Sequence, residues 1–180
     1  MTIDSNHPIP ILFILDVDGV MTTGQFLYTR EGKSMKVFGP DDNDGLSLLK
    51  PFIDIRFVTG DKKGYPISHK RIVEDMGYPL DVVSTIRRTE WIKEQHDLSR
   101  VVYMGDGIFD HYVMRHVAYA IAPSNADPLA KQHADYVTER AGGDRAVSEA
   151  CLHLLARFFE PYDPERLPLR QGKVSSEWTV

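Results

Sequence analysis

The stretch Ile11-Leu12-Phe13-Ile14-Leu15-Asp16-Val17-Asp18-Gly19-Val20 constrains this chain most. An unbroken apolar run leads directly into two acids one residue apart, and a glycine follows. A short continuous apolar run describes a strand buried on both faces, as in parallel sheets. Alternation sends Asp16 and Val17 to opposite faces. A turn at Gly19 then allows Asp16 and Asp18 both to be held at the strand's carboxyl end, the edge where open α/β sheets place their ligands. Two acids there are costly unless a cation or a reaction uses them. The bland reading of the same residues is a strand that ends in a polar turn.

The rest of the chain alternates strand-like and helix-like segments. Residues 10–16, 53–60, 81–84, 100–106, 118–122 and 136–137 read as strands, and the second ends in Thr59-Gly60. Helical patterns lie at 65–76, with Gly77 after it, at 89–95 with Thr89 at the cap position, and at 110–114, 126–133 and 146–159. Residues 39–45 read as an acidic loop, followed by a short helix carrying Leu46, Leu48 and Leu49 that Pro51 stops. This order argues for βαβ units, hence an α/β, three-layer Rossmann-like parallel sheet with helices on both faces.

One segment breaks the alternation. Residues 25–29 and 34–38 are β-prone, and 30–33 between them is a turn with its glycine, so 25–38 is a β-hairpin inserted just after the first strand. Its Phe26, Tyr28 and Phe38 suit a core or a subunit contact equally well, because a two-stranded hairpin is marginal unless it packs on something. The expected organisation is a single domain over 1–160. A tail at 161–180 follows, rich in proline and extended or disordered.

Composition narrows the function. The 180 residues suffice for one domain with a real core. A net charge of −5 with no basic block argues against a nucleic-acid surface. The single cysteine, Cys151, excludes an internal disulfide and lies in an apolar helical pattern that suits burial. No apolar run approaches the roughly 18 residues that span a membrane, and no signal-peptide pattern opens the chain, so the expected location is cytoplasmic.

The polar strand ends suit one job. Parallel strands bring Asp16 with Asp18, Thr59, and Asp106 with Asp110 to one sheet edge. Clustered carboxylates repel one another, and a hard divalent cation removes that repulsion. Magnesium takes oxygen ligands; zinc is disfavoured because the histidines are scattered. A carboxylate beside such a cation can attack phosphorus, a second acid can shuttle a proton, and Thr59 can hold a phosphoryl oxygen. Phosphoryl transfer needs little beyond positioning and charge neutralisation.

Asp16-Val17-Asp18-Gly19, Val58-Thr59-Gly60 and Gly105-Asp106-Gly107-Ile108-Phe109-Asp110 together resemble the first, second and fourth motifs of the haloacid dehalogenase superfamily. That resemblance implies a phosphomonoester hydrolase in which Asp16 becomes phosphorylated and Asp18 is the general acid/base. It implies Mg²⁺ held by Asp16, the Asp18 backbone carbonyl and Asp106, with Asp110 in support. Thr59, Gly60 and the third-motif cation would face the phosphate.

A closer likeness, from residue 11 to about 159, is to the 3-deoxy-D-manno-octulosonate 8-phosphate phosphatase family. It rests on Asp18-Gly19-Val20-Met21-Thr22, the hairpin, Lys36-Val37-Phe38, Asp44-Gly45-Leu46, the segment from Ile121 to Pro128, Ala134 to Thr138, and Ala141-Gly142-Gly143. It implies no large cap domain and a homotetramer built through the hairpins. It also implies a small substrate such as an octulosonate 8-phosphate or nonulosonate 9-phosphate.

The chain departs from this pattern in places. Arg88 falls where a third-motif lysine belongs, with Arg87 beside it and Lys93 as the alternative. Asp41, Asp61 and Asp144, with Ser148, stand near where the family carries substrate-facing arginines. Another phosphorylated sugar is therefore a further candidate, and a non-catalytic regulatory or scaffold relative is the alternative function.

Overall fold

A computed structural model describes residues 8–166. Six strands form one parallel sheet: β1 (Leu12–Asp16), β4 (Asp54–Thr59), β5 (Leu80–Val82), β6 (Val101–Met104), β7 (Tyr119–Ala122) and β8 (Tyr136–Val137). Their spatial order is β5-β4-β1-β6-β7-β8, so β1 lies between β4 and β6. Register places Asp16 beside Val58 and Leu15 beside Met104. The ends of these three strands, where the acids and Thr59 lie, are thus neighbours.

The continuous apolar run of β1 serves two cores at once. Phe13 and Leu15 pack with Leu46 and Leu49 of α1 (Asp42–Leu49) and with Val147, Cys151 and Leu154 of α6 (Ala146–Phe158). Leu12 and Ile14 pack on the opposite face. Their partners there include Ile92 of α3 (Arg88–Lys93), Val113 of α4 (His111–Met114) and Ala130 of α5 (Pro128–Gln132). This is the three-layer arrangement expected from the sequence. The helix after β4, α2 (Tyr65–His69), widens into a π-helical stretch over Lys70–Asp75. Cys151 is fully buried, and burial pushes its thiol well above the usual range.

The inserted hairpin is longer than its sequence pattern: β2 (Thr22–Thr29) pairs antiparallel with β3 (Gly32–Phe38). No large cap domain occurs among the described residues. Residues 161–166 are exposed, and the expected tail beyond 166 lies outside the described residues. No helix among the described residues is long and apolar enough to cross a membrane.

Two sequence expectations need correction. Residues 42–45 are not loop, because α1 already starts at Asp42. Acids in a first helical turn are favoured by the helix dipole, so Asp42 and Asp44 promote the helix there. Thr89 is not a cap, since α3 begins at Arg88 after a 3₁₀ turn over Thr85–Arg87.

Asp42 also ties the two helices together. It is buried, its Oδ1 accepts the Ser148 N–H at 3.0 Å, and its Oδ2 has no hydrogen-bond partner among the described residues. Burial is the main cause that pushes its carboxyl up to about 6, against the hydrogen bonds from Ser148 and Val147. A carboxyl raised on folding contributes its stability below its unfolded value of 3.8 and loses it as pH rises through about 6. Asp42→Asn removes that titration. Denaturant melts between pH 4 and pH 7 should then show a decline in stability shallower by up to about 3 kcal/mol. An unchanged decline would mean that Asp42 does not titrate in this window.

Candidate active site

Asp16 ends β1 on the same face as Leu12 and Ile14, the face covered by α3. Arg88, the first residue of α3, therefore points at it. The contact has two prongs: Nη1 donates to Asp16 Oδ2 at 2.8 Å and Nη2 to Oδ1 at 3.1 Å. The Val17 N–H also donates to Oδ1, at 2.7 Å. The Arg88 side chain is only 1% exposed, and Nη1 reaches Tyr103 Oη at 2.6 Å and Asp110 Oδ1 at 3.1 Å as well. Tyr103 Oη donates to Asp110 Oδ1 at 2.6 Å, and the Gly107 N–H holds Asp110 Oδ2 at 2.8 Å. Arg87 and Lys93 are both exposed. Of these three neighbouring cations, Arg88 is the one buried against the acids.

Asp16, Asp106 and Asp110 each bring a carboxylate oxygen within 4.8 Å of the others. Arg88 pairs with Asp16 and Asp110 and leaves Asp106 without an ion-pair partner among the described residues. The electrostatics reflect this crowding. Burial raises the carboxyl of Asp16, with Arg88 opposing and Asp110 adding to the rise. Burial, then the charges of Asp16 and Asp110, push Asp106 up to about 8. Burial works against the charge on Arg88, yet Asp16, Tyr103 and Asp110 hold the guanidinium firmly protonated. One guanidinium among three acids, Asp16 and Asp110 buried and Asp106 half-buried, is outnumbered by the carboxyl groups around it. The donors are all oxygens, so the set fits a hard divalent cation of the magnesium type.

The turn from Val17 to Met21 brings the backbone to this cluster. Gly19 has φ +87°, and a Cβ there would fall 1.9 Å from Asp106 Oδ2. Only glycine allows both the left-handed backbone and the approach. Asn125 braces the turn: its Nδ2 donates to the Gly19 carbonyl at 3.2 Å, and its Oδ1 accepts the Gly142 N–H at 2.6 Å. The glycine pair at 142–143 thus closes on the first motif.

Asp18 is not one of the three clustered acids, and its carboxylate meets Thr59 and Lys36 instead. Its Oδ2 accepts from Thr59 Oγ1 at 3.1 Å, and its Oδ1 lies 2.6 Å from Lys36 Nζ. Thr59 is buried and also accepts the Asp61 N–H at 3.1 Å, so its hydroxyl braces Asp18 here. Sequence reasoning does not single out Lys36 as a site residue. The available signal is its place in the Lys36-Val37-Phe38 likeness; by pattern alone, a lysine between Met35 and Val37 is indistinguishable from a solvated β position until tertiary packing covers it. The acids at the expected arginine positions are likewise engaged. Asp61 pairs with Lys33 and Lys36, which hold its carboxyl down to about 2 although burial alone would raise it. Asp41 pairs with Arg145 at 2.5 Å.

A cleft of about 470 Å³ opens beside Gly60, lined by Phe26, Lys33, Asp61, Thr85, Ile86 and Phe109. That volume suits a small metabolite.

Known proteins resemble this chain in sequence and in fold. A family model for haloacid dehalogenase-like hydrolases matches residues 91–150. The 3-deoxy-D-manno-octulosonate 8-phosphate phosphatases of Salmonella typhi and Escherichia coli K12 are each 34% identical over 157 residues, covering 81% of this chain and 80% of theirs. The structure of that phosphatase from Moraxella catarrhalis, in complex with a magnesium ion, a phosphate ion and a KDO molecule, matches at a TM-score of 0.72. It is 28% identical, and the match covers 82% of this chain and 87% of that one. The cobalt-bound Haemophilus influenzae enzyme matches at 0.73 and 26% identity, over 82% and 88% of the two chains. With a shared fold and relatives 34% identical over most of their length, this chain belongs to the 3-deoxy-D-manno-octulosonate 8-phosphate phosphatase family of haloacid dehalogenase-like hydrolases and is a phosphomonoester hydrolase.

Proposed function

We propose that this enzyme is a magnesium-dependent phosphatase of a small phosphorylated sugar or sugar acid, of the octulosonate 8-phosphate or nonulosonate 9-phosphate kind, acting through an aspartyl-phosphate on Asp16. The observation that carries the reading is the cluster of Asp16, Asp106 and Asp110 around a single guanidinium, with Asp18 held separately by Thr59 and Lys36. Asp16, Asp106 and the Asp18 carbonyl would hold the cation, with Asp110 in support. Once bound, the cation supplies positive charge for the phosphoryl oxygens and relieves the repulsion among the acids.

The residues divide the chemistry between them. An Asp16 carboxylate oxygen forms a bond to phosphorus as the bond from phosphorus to the sugar oxygen breaks, and Asp18 gives its proton to that departing oxygen. Asp18, now a carboxylate, takes a proton from water as the water attacks phosphorus. The bond to Asp16 then breaks, and inorganic phosphate leaves. Arg88 stabilises the charge on the transferring group, and Thr59 and Gly60 line its path.

The hairpin supports a second element of the reading, contact between copies in a homotetramer. Its Phe26, Leu27, Tyr28, Met35 and Val37 are exposed in the single chain, and such a surface on a two-stranded ribbon calls for a partner.

Phosphate release from a panel of sugar phosphates, with magnesium and with chelator, tests the function. Turnover that requires magnesium and favours one keto-sugar acid phosphate is the expected result. Turnover undiminished by chelator would end the metal-dependent reading. A preference for neutral sugar phosphates would move the substrate away from the sugar acids. No turnover of any substrate would remove the catalytic reading altogether.

A further inference from the structure

Lys36 is the least expected charge in this molecule. It lies on β3, in a hairpin whose other side chains are largely exposed, yet its own side chain has no exposure at all. Three oxygens surround its Nζ: Asp18 Oδ1 at 2.6 Å, Ser68 Oγ at 2.9 Å and Asp61 Oδ2 at 3.0 Å. Ser68 Oγ accepts a hydrogen bond from Nζ, while the two carboxylate oxygens face the ammonium as close ion pairs, Asp18 Oδ1 without hydrogen-bond alignment. The planar guanidinium of arginine presents a different, forked pattern. The fold makes room for this arrangement at Gly64, where a Cβ would fall 2.0 Å from Asp61 Oδ2 and 2.6 Å from Lys36 Cε. Ser68 is fully buried and comes from α2, so the lysine is enclosed by three separate parts of the chain.

The consequence falls on Asp18. Its carboxylate is fixed from two sides, by Lys36 on Oδ1 and by Thr59 on Oδ2, and neither belongs to the Val17–Met21 turn that carries it. The turn itself has non-helical backbone at Asp18, with φ −80° and ψ 117°. An acid that must meet a departing oxygen in one geometry gains from being held at both oxygens.

We propose that Lys36 is a positioning residue that aims the Asp18 carboxyl at the leaving oxygen of the substrate, making the seating of the hairpin part of the proton-transfer geometry. This rests on the reading of Asp18 as the acid that protonates the departing oxygen while the bond from phosphorus to that oxygen breaks.

A simple structural anchor and a positioning residue differ in one readout. Protonation matters for a poor leaving group and hardly at all for a good one. The full-length enzyme with magnesium is assayed on phenyl phosphate and p-nitrophenyl phosphate, and the two kcat/KM values are compared as a ratio. General acids contribute on the order of 10²–10⁴-fold. Lys36→Met is therefore expected to lose at least about tenfold more on phenyl phosphate than on p-nitrophenyl phosphate. Ser68→Ala keeps both carboxylates around the ammonium, and its ratio should shift in the same direction by about threefold.

Asp18→Asn, measured in parallel, separates the two layers of the argument. If Asp18→Asn leaves the ratio unchanged, the acid is misassigned and the Lys36 role falls with it. If Asp18→Asn shifts the ratio while Lys36→Met lowers both substrates equally, Lys36 only anchors the hairpin. If Lys36→Met does not fold, a Ser68→Ala ratio equal to wild type overturns the proposal.

Discussion

Asp16→Asn is expected to reduce phosphate release by at least about 10³-fold while the protein still folds, because a neutral amide lacks the carboxylate that attacks phosphorus in the proposed mechanism. The fold should survive for a specific reason. Arg88 loses its two-pronged partner but keeps Asp110 at 3.1 Å and the Tyr103 hydroxyl at 2.6 Å. One of three mutually repelling acids is removed at the same time. Steady-state phosphate release and a circular-dichroism melt on the same sample check both halves. Activity within tenfold of wild type would place the nucleophile elsewhere.

If Asp16 is the nucleophile and a cation ligand as proposed, its contacts bear on how turnover begins. A carboxylate has about four lone-pair sites. Three are occupied here, two on Oδ1 by Val17 and Arg88 and one on Oδ2 by Arg88. For Asp16 to reach phosphorus and also hold a cation, at least one Arg88 contact has to open. A guanidinium that can turn one prong from Asp16 to a phosphoryl oxygen suits that exchange.

Arg88→Met is expected to be the most destabilising single change at the site in the absence of metal, at about 3–5 kcal/mol, the usual cost of stranding buried charge. Asp16 and Asp110 would lose their shared cation, Tyr103 a hydrogen-bond partner, and Asp106 the compensating charge of the guanidinium. Magnesium should then raise the melting temperature of Arg88→Met more than that of wild type, since any species bound only by the folded state stabilises it. Thermal unfolding of both proteins, with magnesium and with chelator, measures the difference. A variant that melts like wild type in chelator would show that the guanidinium is not what holds the acids together. Arg88→Lys keeps the charge but not the fork, and should fall between the two.

Several features of the site are legible in the amino-acid order alone. An apolar run ending in Asp16-Val17-Asp18-Gly19 carries its own burial pattern, and similar endings at Thr59-Gly60 and Gly105-Asp106 belong to further strands. Parallel strands have one direction, so their polar ends must meet at one edge. The alternation of strand-like and helix-like segments likewise implies crossovers covering both faces.

Other features are hidden for physical reasons. Residues 42–45 are rich in turn formers and read as a loop. The dipole of a helix start, and a half-buried contact from Asp42 to Ser148 more than a hundred residues away, turn them into its first turn. Arg87, Arg88 and Lys93 carry the same charge within seven positions, and sequence spacing does not separate them. The choice belongs to the packing of α3, which exposes two and buries Arg88 against Asp16, Tyr103 and Asp110.

Local sequence therefore determined the strand, the acids and the sheet edge they share, because strand periodicity and chain direction are properties of neighbouring residues. Tertiary structure alone decided which cations those acids meet. Arg88 lies 72 residues from Asp16 along the chain. Lys36 looks like a surface charge on a ribbon until Ser68, Asp61 and Asp18 close around it. The worth of a charge depends on what excludes water from it, and folding brings that surrounding together from distant parts of the chain.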